Sequence, residues 1–224
     1  MVIKFRIGGR LRYLSHAETL RLFERACVRA GINLQYSQGF NPHPRMSLPL
    51  PRPVGVASDD ELLTLKVRRD PFFVAQDTSN EARETSDELR IKNALSMQLP
   101  EGCELISVDF AGSRTSFQPR SATYVLSVRQ EYLDRDLTGR IQDLLASETL
   151  LVRRKMDEEG SVIKNMDVRG FLSSIDVDRA DIVVECGLTA AGSIRVPEIL
   201  ELLGLDETKL ASPIKRTSVK WQDV

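Results

Sequence analysis

Cysteine, histidine and tryptophan are scarce in these 224 residues, at three, two and one. Cys27, Cys103 and Cys186 are odd in number and widely spaced, which fits reduced thiols better than a disulfide framework or a zinc site. No CxxxCxxC occurs, so the chain supplies no cysteine set for an iron–sulfur cluster. No apolar run approaches the ~20 residues needed to cross a bilayer. The opening MVIKFRIGG lacks the apolar region of a signal peptide and reads as a strand, so the expected compartment is the cytoplasm. GxGxxG, GxxxxGK[ST] and GxSxG are missing, which removes support for nucleotide hydrolysis and serine-esterase chemistry. Low-complexity segments are absent as well.

What is present is an ordinary globular balance, 42% hydrophobic and 28% charged, with a net charge of −1. That total conceals a polarity. Residues 1–56 carry nine Lys/Arg against two acids, Glu18 and Glu24, whereas residues 57–112 carry six against twelve. The first quarter therefore has a basic face of its own.

Periodicity predicts the pattern β-α-β-β-α-β twice. Ile3, Phe5 and Ile7 alternate with Lys4 and Arg6 in a first strand. Ser15 and Glu18 form a capping box at the start of a helix, with Leu20, Phe23, Cys27 and Ala30 inward and Gly31 at the exit. Strands follow at Ile32–Tyr36 and Glu61–Val67, then a helix at Asp87–Gln98 and a strand at Cys103–Phe110. The second half reads as strand Thr123–Arg129, helix Asp134–Ala146, strands Thr149–Lys155 and Asp181–Leu188, helix Val196–Leu203 opened by Pro197, and strand Ile214–Trp221. The expected fold class is α+β: two tandem ferredoxin-like domains, antiparallel sheets with helices on one face, over 1–112 and 121–224, joined by a linker at 113–120. A single sheet shared by both halves is the alternative.

Candidate site residues cluster in residues 10–53. Arg21, Arg25 and Arg29 stand at i, i+4 and i+8, so they make one stripe on the first helix; it is either a solvated face or a contact for an anionic partner. Arg12 precedes the same helix. Both histidines, His16 and His43, lie in this region and suit acid–base chemistry near neutral pH, or a structural role; two imidazoles without a thiol or carboxylate make a poor metal site. Between Tyr36 and Pro51 runs YSQGFNPHPRMSLPLP. Each proline removes a backbone donor and pushes its predecessor to extended geometry, so Asn41 and His43 sit in a stiff ribbon. Ser37, Gln38, Asn41, His43 and Arg45 can then act as a recognition edge, or the ribbon can serve as a connection that packs Phe40, Met46 and Leu48 on the core. Further on, Arg153-Arg154-Lys155 reads as a solvated strand end, and Asp167 and Arg169 as a surface pair.

The run RLRYLSHAETLRLFERACVRAGINLQYSQGFNPHPRMSLPLPRPVGVAS, residues 10–58, resembles a radical-SAM-associated protein family of unknown function, in which this domain is often fused to, or encoded beside, a B12-binding radical-SAM enzyme. The carrying features are RLRYLSH before the first helix, ERACVRAG at its end, SQGFNPHPR in the loop and PLPRPVGV after it. The family pattern has an apolar residue and an Asp after Ser-His where this chain has Ala17-Glu18, which retains the acid. The resemblance implies an accessory domain of a modification enzyme, with that radical-SAM enzyme as partner, and brings no catalytic residues with it. The tandem architecture also resembles repeat-associated RNA endonucleases, a fold-level analogy only.

The resulting expectation is an accessory RNA-binding or substrate-presenting module without catalytic activity of its own, with tRNA or rRNA as the candidate RNA. It needs no cofactor, metal or membrane. Arg12, Arg21, Arg25, Arg29 and Arg45 would neutralise phosphates, while His16, Ser37, Gln38, Asn41 and His43 would contact bases or backbone. The rivals are a protein–protein adaptor that docks the enzyme without nucleic acid, and a metal-independent ribonuclease using His16 and His43.

Overall fold

Alternation in the first six residues becomes β1 (Val2–Ile7), with Ile3, Phe5 and Ile7 buried and Lys4 and Arg6 exposed. In the computed structural model, residues 1–68, 80–110, 112, 116–155 and 163–223 are described. They fall into two compact units, Met1–Gln118 with Asp223–Val224 and Pro119–Gln222.

In the first unit a 3-10 turn over Gly9–Tyr13 leads into α1 (His16–Arg29). The capping box forms as read: the Glu18 amide donates to Ser15 Oγ at 3.3 Å and the Ser15 amide donates to the Glu18 carboxylate at 2.8 Å. Hydrogen bonds from the Ser15 hydroxyl and amide hold the Glu18 carboxyl below the usual range. Phe23, Ala26 and Cys27 are buried, and Leu20 and Ala30 pack against the same cluster. The Phe5 and Phe23 rings meet edge to face, centroids 4.6 Å apart, a contact that contributes about 0.5–1.5 kcal/mol beyond area burial. Gly31 leaves the helix at φ 69°, the left-handed conformation that favours glycine.

After the helix the chain departs from expectation. Ile32–Tyr36 makes only isolated bridges, Leu34 with Val67 and Tyr36 with Pro44. The strand is β2 (Met46–Ser47), inside the proline-rich stretch, in the short interval between Pro44 and Pro49 that still has donors. Next come β3 (Ala57–Leu65), α2 (Asn80–Ser96) and β4 (Cys103–Asp109). The strand order is β4-β1-β3-β2 and each pairing is antiparallel, with Ile3 opposite both Leu63 and Val108, and Met46 opposite Leu65. Ile91 and Leu95 of α2 join Phe5 and Phe23 in one cluster. β3 begins four residues before its expected start because Ser58, Asp59 and Asp60, polar in sequence, still take part in the strand.

The first strand of the second unit, β5 (Phe117–Ser127), already begins inside the stretch read as linker, its first two residues falling within the first unit. It is followed by α3 (Arg135–Ala146), capped by Asp134, whose carboxylate accepts from the Leu137 amide at 2.8 Å. Then come β6 (Leu151–Lys155), β7 (Ile163–Asp167), β8 (Leu172–Asp178), β9 (Asp181–Gly187), α4 (Val196–Leu203) and β10 (Lys215–Asp223). Neighbours run β10-β5-β9-β8, and β5-β9 and β8-β9 are antiparallel. The expected second strand, Thr149–Lys155, is not in that sheet. As β6 it pairs with β7 in a separate two-stranded ribbon, and β8 takes the sheet position instead. β8 and β9 turn at Arg179-Ala180, with Arg179 at φ 57°, so no glycine marks the hairpin in the sequence. Four α-helices are present among the described residues, none long and apolar enough to cross a membrane.

Two arginines read as surface residues have structural roles. Arg154 is 7% exposed and grips Glu198 of α4 with two bonds, Nε to Oε1 at 2.7 Å and Nη2 to Oε2 at 2.8 Å, while Nη2 also donates to the Ser193 carbonyl. That pair fastens β6 to α4. Arg169 does not pair with the Asp167 carboxylate through its guanidinium, which instead donates to the carbonyls of Leu145, Ser147 and Leu172 and satisfies the end of α3. Asp167 accepts the amides of Leu150 and Arg169, which hold its carboxyl below the usual range.

Burial alone would push the Glu198 carboxyl up. The hydrogen bonds from Arg154 and the Arg195 amide outweigh it, so the group sits below its ordinary 4.5. Its contribution is therefore present above that ordinary value and is lost as pH falls through the lower folded one. Glu198→Gln should destabilise the protein by about 3–5 kcal/mol at pH 7 by stranding a buried guanidinium. In urea titrations the gap to wild type should shrink as the pH is lowered from 7 towards 3.

Candidate functional site

Residues 35–47 form a closed loop whose base uses its own backbone. The Ser37 amide donates to the His43 carbonyl at 2.7 Å, and the His43 amide donates to Ser37 Oγ at 3.0 Å. Ser37 thus has a structural use that the sequence did not reveal. With those bonds made, the tip is free to present side chains. Gln38, Asn41 and His43 are exposed and make no side-chain hydrogen bond among the described residues. Gly39, at φ 137°, turns the backbone there. Phe40, which the connecting-ribbon alternative packs on the core, is instead fully exposed at 107%. Of the other two residues expected on the core, Leu48 is buried and Met46 packs against the cluster.

Below the tip three segments close a ring of backbone hydrogen bonds. The Gln35 amide donates to the Lys66 carbonyl at 2.8 Å, the Lys66 amide to the Arg45 carbonyl at 2.9 Å, and the Arg45 amide to the Gln35 carbonyl at 2.8 Å. All three residues line a cleft of about 780 Å³. Ser47 and Thr64 add hydroxyls, and Met46, Phe110 and Phe117 supply apolar wall.

The remaining expected residues are dispersed. Arg21 and Arg25 are exposed and make no hydrogen bond or ion pair among the described residues, although Arg21 contributes electrostatically to the low pKa of Glu18. Arg29 is engaged: its Nε donates to Gln98 Oε1 at 3.2 Å and its Nη2 to the Gln98 carbonyl at 2.7 Å, tying α1 to the segment after α2. Arg12 lies over the Tyr13 ring at 4.3 Å and donates to the Gly9 carbonyl and Tyr13 Oη. His16 lines a different void of about 10 Å³, room for one water at most, together with Arg52 and Glu61. His43 lines neither cavity, so the two imidazoles share no pocket of these two.

Arg52 was missed by sequence reasoning. It sits between two prolines, and its guanidinium donates to the carbonyls of Leu11, Arg12, Leu14, Pro53 and Val56. This cage locks the turn before α1 to the end of the proline-rich stretch. Only the isolated charge in PRP could have drawn attention to it.

No nucleophile emerges from the thiols. Burial pushes Cys27, Cys103 and Cys186 up to about 12, helped by Glu24, Glu61 and Glu185 respectively. Among the described residues no group of three or more His, Cys, Asp or Glu could hold a metal ion.

These features define an α+β protein whose first unit offers a closed loop, a cation-bearing cleft and exposed arginines. A family model described as an uncharacterized protein conserved in bacteria, DUF2344, matches residues 1–196, and the chain belongs to that family. No curated protein matches the chain.

Arg52→Met should remove five hydrogen bonds at once and leave their carbonyls to find water, at a cost of about 2–4 kcal/mol. Amide exchange should quicken at Gly55 and Leu14, whose N–H groups bond within the same turn. Arg52→Lys should rescue little, since one ammonium cannot reproduce the fork.

Proposed function

We propose that this chain is an RNA-binding, substrate-presenting module that acts alongside a radical-SAM modification enzyme and is itself without catalytic activity. The support for a ferredoxin-like first unit is its antiparallel order β4-β1-β3-β2, with α1 and α2 contributing to one cluster. The order β10-β5-β9-β8 supports the same reading of the second, with the β6–β7 ribbon as an insertion. The enzyme partner is supported by the resemblance carried in residues 10–58.

The observation that carries the RNA reading is the loop tip. Phe40 presents its whole ring to solvent at the point of a loop whose backbone is already satisfied, so the ring is available for stacking. Unpaired bases stack on such rings without needing a defined sequence. Gln38, Asn41 and His43 beside it supply donors and acceptors for base edges, and Arg21, Arg25 and Arg45 supply charge for phosphates. Little ordering is required of the loop on binding, because its prolines and base hydrogen bonds have fixed it in advance.

Filter binding of structured RNA at two ionic strengths tests this. Affinity should fall steeply with salt, and Arg25→Glu should weaken binding across sequences and reduce the log–log salt slope by about one. Phe40→Ala should weaken binding about 5- to 150-fold, whereas His43→Ala should alter selectivity more than affinity. Salt-insensitive or absent binding removes the proposal.

A further inference from the structure

Arg45 and Lys66 stand directly opposite one another across the β2–β3 ladder, one step beyond the Met46–Leu65 pair. Like charges in that relation repel and destabilise a sheet. Among the described residues neither side chain has a hydrogen-bond or ion-pair partner, and none of those lining the shared cleft is an Asp or Glu. The backbone ring through Gln35 prevents the two segments from separating to relieve the repulsion. No described residue supplies the counter-charge, which an anionic ligand would provide.

The rest of the cleft narrows the kind of anion. About 780 Å³ is far more than an inorganic ion fills and lies within the range for drug-sized ligands. Met46, Phe110 and Phe117 offer apolar surface on the same cleft, and Ser47 and Gln35 offer neutral polar groups. A ligand that meets all of these carries a compact negative charge joined to a flat, largely apolar ring with polar edges.

We propose that the cleft is a nucleotide site in which Arg45 and Lys66 clamp one phosphate and the Met46–Phe110–Phe117 wall receives its base. This deepens the RNA-binding reading and rests on it for the choice among anions. The phosphate belongs either to a free mononucleotide or to one link of an RNA chain. Phosphate binding should also relieve the cross-strand repulsion, so ligand and protein stabilise each other.

Thermal melts and calorimetry should be run on the full chain with the four nucleoside 5′-monophosphates, the matching nucleosides, inorganic phosphate and a single-stranded RNA 12-mer. Wild type should gain melting temperature with the monophosphates, more than with phosphate or the nucleosides. The Arg45→Gln/Lys66→Gln double variant should lose at least tenfold in monophosphate affinity while melting, without ligand, no lower than wild type. A parallel loss for the 12-mer assigns the site to a link of RNA; loss confined to the monophosphates assigns it to a free nucleotide. Equal binding by wild type and double variant, or no monophosphate or 12-mer binding by wild type, overturns the site. Stabilisation by phosphate as strong as by the monophosphates overturns its nucleotide character. Monophosphate binding retained without any RNA binding would instead remove the RNA reading and leave the cleft standing.

Discussion

Two cations fixed face to face set the terms for the first unit. Arg45 and Lys66 are neighbours because β2 can pair with β3 only between Pro44 and Pro49, and the Gln35 ring closes that position from the side. Had the loop been slack, the strands could slip and the charges part. Rigidity and unmet charge therefore arise from one cause, the placement of the prolines. The Arg52 cage extends the same principle to the other end of the stretch, where five carbonyls gather on a single guanidinium. Ahead of those anchors the Ser37–His43 hydrogen bonds close the loop and hold its tip out in solvent, with Phe40 at its point.

The second unit uses its charges differently. Arg154 and Arg169 are consumed internally, one on a buried carboxylate and the other on carbonyls at the end of α3. In the first unit Arg29 is likewise tied to Gln98, while Arg21 and Arg25 are left to solvent. A count of basic residues does not separate these cases. The partner of each guanidinium does, and it distinguishes cations that hold the fold from those open to a ligand.

Signals that are local in the chain were legible before any coordinates. Ser15 and Glu18 lie three residues apart and announce α1, and Pro197 at the first turn marks α4, whose expected bounds agree with those found. Alternation in β1 and the inward positions of α2 follow from periodicity alone. Pairings decided at a distance were not legible. Glu198 is 44 residues from Arg154, so nothing near RRK betrays its burial. The β8–β9 hairpin turns on Arg179 rather than a glycine, and β6 reads in sequence as a strand of the main sheet because a short alternating strand looks the same in either place, while its partner β7 gives no strand signal of its own. In the candidate site the stiffness of the proline stretch is readable, but the sequence leaves the direction of Phe40 open, and the loop closes beneath it and turns it out. Lys66 attracted no attention, since its significance depends on what stands across the ladder.

Ultraviolet crosslinking of the protein to single-stranded RNA, followed by peptide mapping, addresses the central claim most directly. Crosslinks should fall on the Tyr36–Ser47 loop, at Phe40 in particular, and on Phe110 and Phe117, which line the cleft. Crosslinks confined to residues 119–222, or none at all under conditions where a known RNA-binding control is labelled, would contradict the account.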